Sequence, residues 1–355
     1  MNAADFLKGL GQGPDFLFQE VDLVNRRGLV VQFGREDYRS ASFLDQRAFR
    51  KDTLGAWLTL DSVVAEAAAL AEPPAAHAIF HVSHCGSTLV SRLLAELPDN
   101  LPVREPLVLL ACAQERRELE RPSSRLDQAG WDKLFDASMK LLSRVYRPGE
   151  RACIKATSAC GNLLMPFLRR STASKALLLY TDLDTWLTVM LRNDEVRHNG
   201  RFYAQAWLKD LHALTGRQDI HLASLSDPQM FAINWLTAML HFERAKRHSP
   251  DRVRHCDFEK LLADPAGELA AMGRFLELDT ARVPELIAGP LMKSYAKRPG
   301  QAFDAATRAR ELQEVRNAKG PEVTAGIEYA EKLCNEVAML APLVPYLTRS
   351  NTRNA

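Results

Sequence analysis

The chain has 355 residues, 46% hydrophobic and 25% charged, with a formal net charge of +2; this is globular composition, long enough for one large α/β domain with additions or for two domains. The balanced charge gives no electrostatic case for nucleic acid or an anionic membrane as partner, and no apolar run approaches the ~20 residues of a membrane span. The opening residues MNAADFLKGLGQG lack the basic-then-apolar order of a secretory signal, and Cys85, Cys112, Cys153, Cys160, Cys256 and Cys334 are scattered without a C-x-x-C pair, so a reduced, cytoplasmic protein is expected.

Residues 1–72 read as an N-terminal elaboration with no chemical motif. Phe16–Phe18 and Leu29–Phe33 are short strands about the turn Asn25-Arg26-Arg27-Gly28, and residues 54–70 are helical in period and rich in alanine. Glu72-Pro73-Pro74 then breaks the chain. Ala78-Ile79-Phe80-His81-Val82 is a buried strand, Ser83–Ser87 a tight polar loop with Gly86 at its tip, and Thr88–Leu94 the start of a helix. After the turn Pro98-Asp99-Asn100, residues 101–104 form a second strand ending at Glu105-Pro106. An amphipathic helix over Trp131–Tyr146 precedes a third strand, Ala152–Lys155. A helix over 162–170 precedes the fourth and most apolar strand, Ala176–Tyr180. Thr185–Arg192 is helical, with Asp182 or Asp184 as its cap. Asp227-Pro228 opens a long helix to about Lys246, Arg252–Cys256 is a fifth strand, and Asp264-Pro265 opens a helix to Leu276. Ser294–Gly300 is a basic loop, followed by helices over 305–315 and 323–340.

Strands that are short and apolar and alternate with helices predict a parallel sheet covered on both faces, a three-layer αβα domain over 73–300 with a C-terminal helical segment over 301–355. In such sheets ligands bind beyond the carboxyl ends of the strands. Residues 83–88, Glu105, Lys155 and Thr181-Asp182 each lie at or just past a strand end, and neighbouring strands would bring all four to one crevice. A loop feeding a helix start leaves backbone N–H groups without partners at the positive end of the helix dipole, a ready anion site. Gly86 lets the backbone approach an anion, and Ser87 and Thr88 add hydroxyl donors. The loop is not the ATPase kind, because His81 stands where the first glycine of G-x-x-x-x-G-K-[ST] would be and no lysine follows Gly86.

His84-Cys85-Gly86-Ser87-Thr88 resembles the sulfotransferase loop, basic-Ser-Gly-[Ser/Thr]-Thr, which holds the 5′-phosphosulfate of 3′-phosphoadenosine 5′-phosphosulfate (PAPS). Phe258–Pro265 resembles that family's Tyr-Glu-Asp-Leu-Leu-x-Asp-Pro, and Phe275–Leu278 its Phe-Leu-Gly-Leu. Leu178–Asp182 resembles the strand ending in Val-Arg-Asp-Pro. The resemblance runs in order over residues 76–300 and implies a P-loop-type fold, PAPS as co-substrate and no metal. The departures fall on the nucleotide's charge. His84 replaces Lys or Arg, Cys85 replaces Ser, Thr181 replaces the Arg that reads the 3′-phosphate, and Val189 takes the place of that arginine's partner serine, with Thr188 adjacent. Arg92, Arg192, Lys297 and Arg298 could compensate.

The resemblance implies that Ser83, His84, Cys85, Gly86, Ser87 and Thr88 hold the donor, with Arg92, Thr181 and Thr188 completing its site. Glu105 is the candidate general base for an acceptor hydroxyl, against a cap or a salt bridge to Arg104. Lys155 neutralises the sulfuryl group in flight or is simply paired with Asp182 or Glu105. His84 donates to the bridging oxygen or is a loop histidine bonded to backbone. His81-x-x-His84 is a poor metal pair, because strand positions i and i+3 face opposite ways. Sulfuryl transfer to an unidentified hydroxyl acceptor is the leading expectation. The alternatives are a phosphotransferase using Lys155 and Asp182 with Mg²⁺, and a binding protein with a decayed site. Oligomeric state cannot be read from the sequence.

Overall fold

Five short apolar runs become one parallel sheet. The structure is a computed structural model that describes residues 2–293 and 305–348. An N-terminal antiparallel sheet of β1 (Phe16–Asp22), β2 (Arg27–Gln32) and β3 (Gly55–Thr59) precedes it, in that spatial order. The parallel sheet contains β4 (His77–His81), β5 (Asn100–Arg104), β6 (Arg151–Lys155), β7 (Ala176–Tyr180) and β8 (Val253–Asp257), in spatial order β5-β6-β4-β7-β8. Consecutive residues of a strand point to opposite faces. All five residues of β4, β5 and β7 are buried, so helices cover both faces and the architecture is the expected αβα sandwich.

The order of the strands decides where a ligand can enter. From β4 the chain runs toward the β5 edge, and from β7 it runs toward the β8 edge. The sheet's switch point therefore lies between the carboxyl ends of β4 and β7, the place where sheets of this kind bind ligands. Register places Ile79 opposite both Lys155 and Leu177, and Arg104 opposite Lys155. The ends of β5, β6, β4 and β7 are thus contiguous.

Several elements differ from the sequence expectation. Residues 54–70 are not one helix: Gly55–Thr59 pairs with β2, and the helix starts at Leu60, with Thr59 as its cap. An open edge on β2 outweighed the helical period. The tail forms one helix, Ala305–Glu336, that runs through Pro321 instead of two. Helices Ala3–Leu10, Leu107–Glu118 and Asp194–Thr215 were not anticipated. Asp182, not Asp184, caps the helix Leu183–Met190, accepting from the Thr185 amide at 2.8 Å. The basic loop Ser294–Gly300, with Lys297 and Arg298, lies outside the described residues.

Two buried arginines fasten the N-terminal segment to the sandwich without a carboxylate. Arg144 donates to the carbonyls of Leu10, Gly13 and Phe16. Arg104, the last residue of β5, donates to the carbonyls of Tyr38 (3.0 Å), Arg39 (3.1 Å) and Ala41 (2.6 Å), and its Nε reaches Ser91 Oγ at 3.0 Å. Burial pulls both guanidinium groups down to about 10, so both are still charged at neutral pH. The carbonyls need these donors, since an unpaired buried acceptor costs about 1–3 kcal/mol. We expect Arg104→Met to lower stability by about 2–4 kcal/mol in urea unfolding. Asp61→Asn, which removes an exposed ion pair with Arg26, should stay within about 1 kcal/mol of wild type.

Candidate functional site

The loop after β4 turns tightly, and three of its residues adopt left-handed backbone conformations: Ser83 (φ 69°), His84 (φ 48°) and Gly86 (φ 70°). Side chains from below hold it. The Trp186 indole donates to the carbonyls of Val82 (2.9 Å) and Ser83 (3.2 Å), and the fully buried Cys85 thiol donates to the Leu179 carbonyl at 3.4 Å. The loop's opening carbonyls are thereby turned toward the helix Leu183–Met190. The Ser83 amide donates to His81 Nδ1 at 3.1 Å. Among the described residues, nothing accepts from the amides of Gly86, Ser87 and Thr88, which begin the helix Ser87–Ala95. Thr88 Oγ1 is buried without a partner. Three amides and a hydroxyl without acceptors, on the first turn of a nine-residue helix, are the donor set an anion requires.

Gly86 is required for a different reason from the one expected. Its missing side chain does not leave room for an anion, because a Cβ there would overlap the Phe258 ring. The glycine supplies the left-handed turn and lets Phe258 seat against the loop. Arg308 lies 5.3 Å over the outer face of that ring and is ion-paired with Glu259, so the Phe258–Pro265 segment and the C-terminal helix brace the loop together.

Next to the loop, Lys155 and Glu105 form an ion pair. Lys155 is fully buried at the end of β6. Glu105 follows β5 in a left-handed conformation, φ 55°, and its amide donates to the Lys155 carbonyl at 2.6 Å. The Arg104 guanidinium is not the partner of Glu105; it donates to the carbonyls of Tyr38, Arg39, Ala41 and Ser91 and to Ser91 Oγ. His81 Nε2 lies 4.0 Å from Glu105 Oε1. Phe43, from the N-terminal segment, packs against two cations: its ring is 5.7 Å from Lys155 Nζ and 3.7 Å from the Arg47 guanidinium. Hydrogen bonds donated to the Asp45 carboxylate raise the Arg47 pKa, and Glu105 adds to the effect. Burial pushes the Tyr203 phenol up. Burial drives the Cys160 thiol to about 11.

The structure thus sets the ends of four neighbouring strands side by side, with the loop after β4 next to Glu105 and Lys155. The remaining residues are placed as follows. The Thr181 hydroxyl is buried at the switch point without a partner, while its carbonyl accepts from Trp235 at 3.0 Å. Thr188 spends its hydroxyl proton on the Asp184 carbonyl at 2.9 Å. His84 and Arg92 are half-buried, and Arg192 is exposed. His81, Phe43, Arg47 and Arg308 were not read as site residues from the sequence. Their proximity depends on tertiary packing, although the His81 pattern was visible. Among the described residues, no group of His, Cys, Asp and Glu is set to hold a metal, and no helix is long and apolar enough to cross a membrane.

No family model matches the sequence, and no curated protein matches it. Similar solved structures include a sulfotransferase domain from the curacin biosynthetic pathway, with 14% identity over 70% of this chain and 99% of that one and a TM-score of 0.39. A sulfotransferase from Alicyclobacillus acidocaldarius has 14% identity over 74% of this chain and 96% of that one, with a TM-score of 0.37. A sulfotransferase from Mycobacterium avium has 11% identity over 91% of this chain and 96% of that one, with a TM-score of 0.36.

Gly86→Ala should lower stability by about 2–4 kcal/mol, through a left-handed alanine and a displaced Phe258 ring. Gly149, at φ 85° with open space around it, isolates the backbone contribution. Gly149→Ala should cost only about 1 kcal/mol in the same denaturant titration.

Proposed function

We propose that the protein transfers a sulfuryl group from PAPS to an acceptor hydroxyl. The observation that carries this reading is the set of unclaimed amides at Gly86, Ser87 and Thr88, beside a carboxylate and a buried ammonium. The order of segments resembling sulfotransferases along residues 76–300 adds to it. The loop amides and the Thr88 hydroxyl would hold the 5′-phosphosulfate of the donor. Glu105 would take the proton of the acceptor hydroxyl as its oxygen bonds to sulfur. The bond from sulfur to the bridging oxygen breaks, and its electron pair stays on the nucleotide's 5′-phosphate. Lys155 would stabilise charge on the sulfuryl oxygens, and His84 would donate to the bridging oxygen as charge develops there. Cys85 would contribute through its backbone, since its thiol is turned into the core. Thr181, Thr188 and Arg92 would line the nucleotide side of the crevice. Thr181 offers a hydroxyl where the family has a cation, so the 3′-phosphate must find its positive charge elsewhere. No metal is needed where amides and basic side chains meet the charge.

A phosphotransferase reading would recruit Lys155 to the phosphates. The loop itself offers no lysine after Gly86, which weighs against it. We expect 3′-phosphoadenosine 5′-phosphate (PAP) at about 100 times its Kd to stabilise the protein by about 2.7 kcal/mol, or a rise in Tm of about 3–5 °C. Ser87→Ala/Thr88→Ala should remove most of that shift. Glu105→Gln should keep it while lowering PAP release from PAPS by about 100-fold or more across a panel of hydroxyl acceptors. A shift with Mg-ATP and none with PAP would favour the phosphotransferase, and no shift with either would leave only a binding role for another ligand.

A further inference from the structure

We propose that His81 is a positioning residue that joins the anion loop to the Glu105 carboxylate. The ring ends β4 and is 7% exposed, so its orientation is fixed by packing. Its two nitrogens face two different parts of the site. Nδ1 accepts the Ser83 amide at 3.1 Å. A nitrogen that accepts a hydrogen bond carries no proton, and the hydrogen-bond network therefore assigns the neutral tautomer with its proton on Nε2. Nε2 faces Glu105 Oε1 at 4.0 Å, on the carboxylate that also binds Lys155. At that distance the N–H does not form a hydrogen bond, but its positive end still stabilises the carboxylate across a low-dielectric gap.

The link has a structural cause. The Ser83 amide reaches back to the side chain two residues earlier, and the left-handed Ser83 then turns the chain into the loop. The Val82 carbonyl, in the same peptide unit as the Ser83 amide, is held by Trp186 at 2.9 Å, so that peptide is fixed from both sides. A change in the loop's hydrogen bonding then reaches Glu105 through a single rigid ring. An anion that drew the Ser83 amide away would remove the bond that sets the tautomer. That last step rests on the proposed reading of the loop; the tautomer and its contact with Glu105 do not.

The test is a long-range ¹H–¹⁵N correlation spectrum of the full chain labelled at histidine, with the His81 ring assigned by its loss in His81→Gln. The expected result is a neutral His81 protonated on Nε2, with ring signals that move in Glu105→Gln. Where that variant fails to fold, Glu105→Gln/Lys155→Met removes the ammonium together with the carboxylate and serves the same purpose. A His81 protonated on Nδ1, or one whose signals ignore the loss of the Glu105 charge, overturns the proposal. Addition of PAP then separates the two ideas. If the signals respond to Glu105→Gln but not to PAP, the link stands and the nucleotide reading of the loop fails.

Discussion

Lys155 places an ammonium where no water reaches it, and its partner is the carboxylate of Glu105. A buried charge costs several kcal/mol unless a well-placed opposite charge offsets it. Glu105 is well placed because it is bonded to Lys155 twice, once through its side chain and once through its amide, at 2.6 Å to the Lys155 carbonyl. The second bond explains the backbone. A left-handed glutamate is strained by about 1–3 kcal/mol, and such strain persists where surrounding bonds over-determine it. The pair therefore fixes the end of β5 against the end of β6, and with it the direction in which the chain leaves the sheet.

The loop after β4 follows the same logic with opposite polarity. Its carbonyls and its cysteine thiol are satisfied from the protein side, by Trp186 and by the Leu179 carbonyl. Its later amides, which begin a helix, are left over. A helix start always has unmatched donors. What this chain adds is a strand end that brings them next to the Lys155–Glu105 pair, because β4 lies between β6 and β7. Donors for an anion, a proton acceptor and a cation meet for topological reasons, although their residues lie up to 72 positions apart in sequence, from Ser83 to Lys155.

Much of this was legible in the sequence because parallel strands buried on both faces are continuous apolar runs. Their ends can be read where the apolar run stops: Tyr180-Thr181, Ile154-Lys155, Arg104-Glu105. The positions of the ends followed; the partnerships did not. Arg104 and Lys155 were both available to Glu105, and only the register of β5 against β6 decides for Lys155. The helix Asp194–Thr215 was overlooked although Val196, Gly200, Ala204, Trp207 and Leu211 mark its buried stripe, because small residues weaken a hydrophobic signal. The strand Gly55–Thr59 was mistaken for the first turns of a helix, since its pairing with β2 is a long-range fact that a local period cannot hold.

The N-terminal segment carries no motif, yet it shapes the open side of the pair. Arg104 binds the carbonyls of residues 38, 39 and 41, and the Leu44 amide returns a bond to the Arg104 carbonyl at 2.7 Å. Phe43 is thereby held near Lys155, with the Arg47 guanidinium also over its ring. The three form a series from the interior outward: a buried ammonium, an aromatic ring, and a guanidinium whose side chain is 63% exposed. An aromatic ring beside two cations is attractive to both, which a purely aliphatic residue would not be. The Arg104 side chain makes this arrangement possible through its bonds to the N-terminal segment and to Ser91. Its place in the sequence, next to Glu105, means that one strand end sets both the carboxylate and the wall beside it.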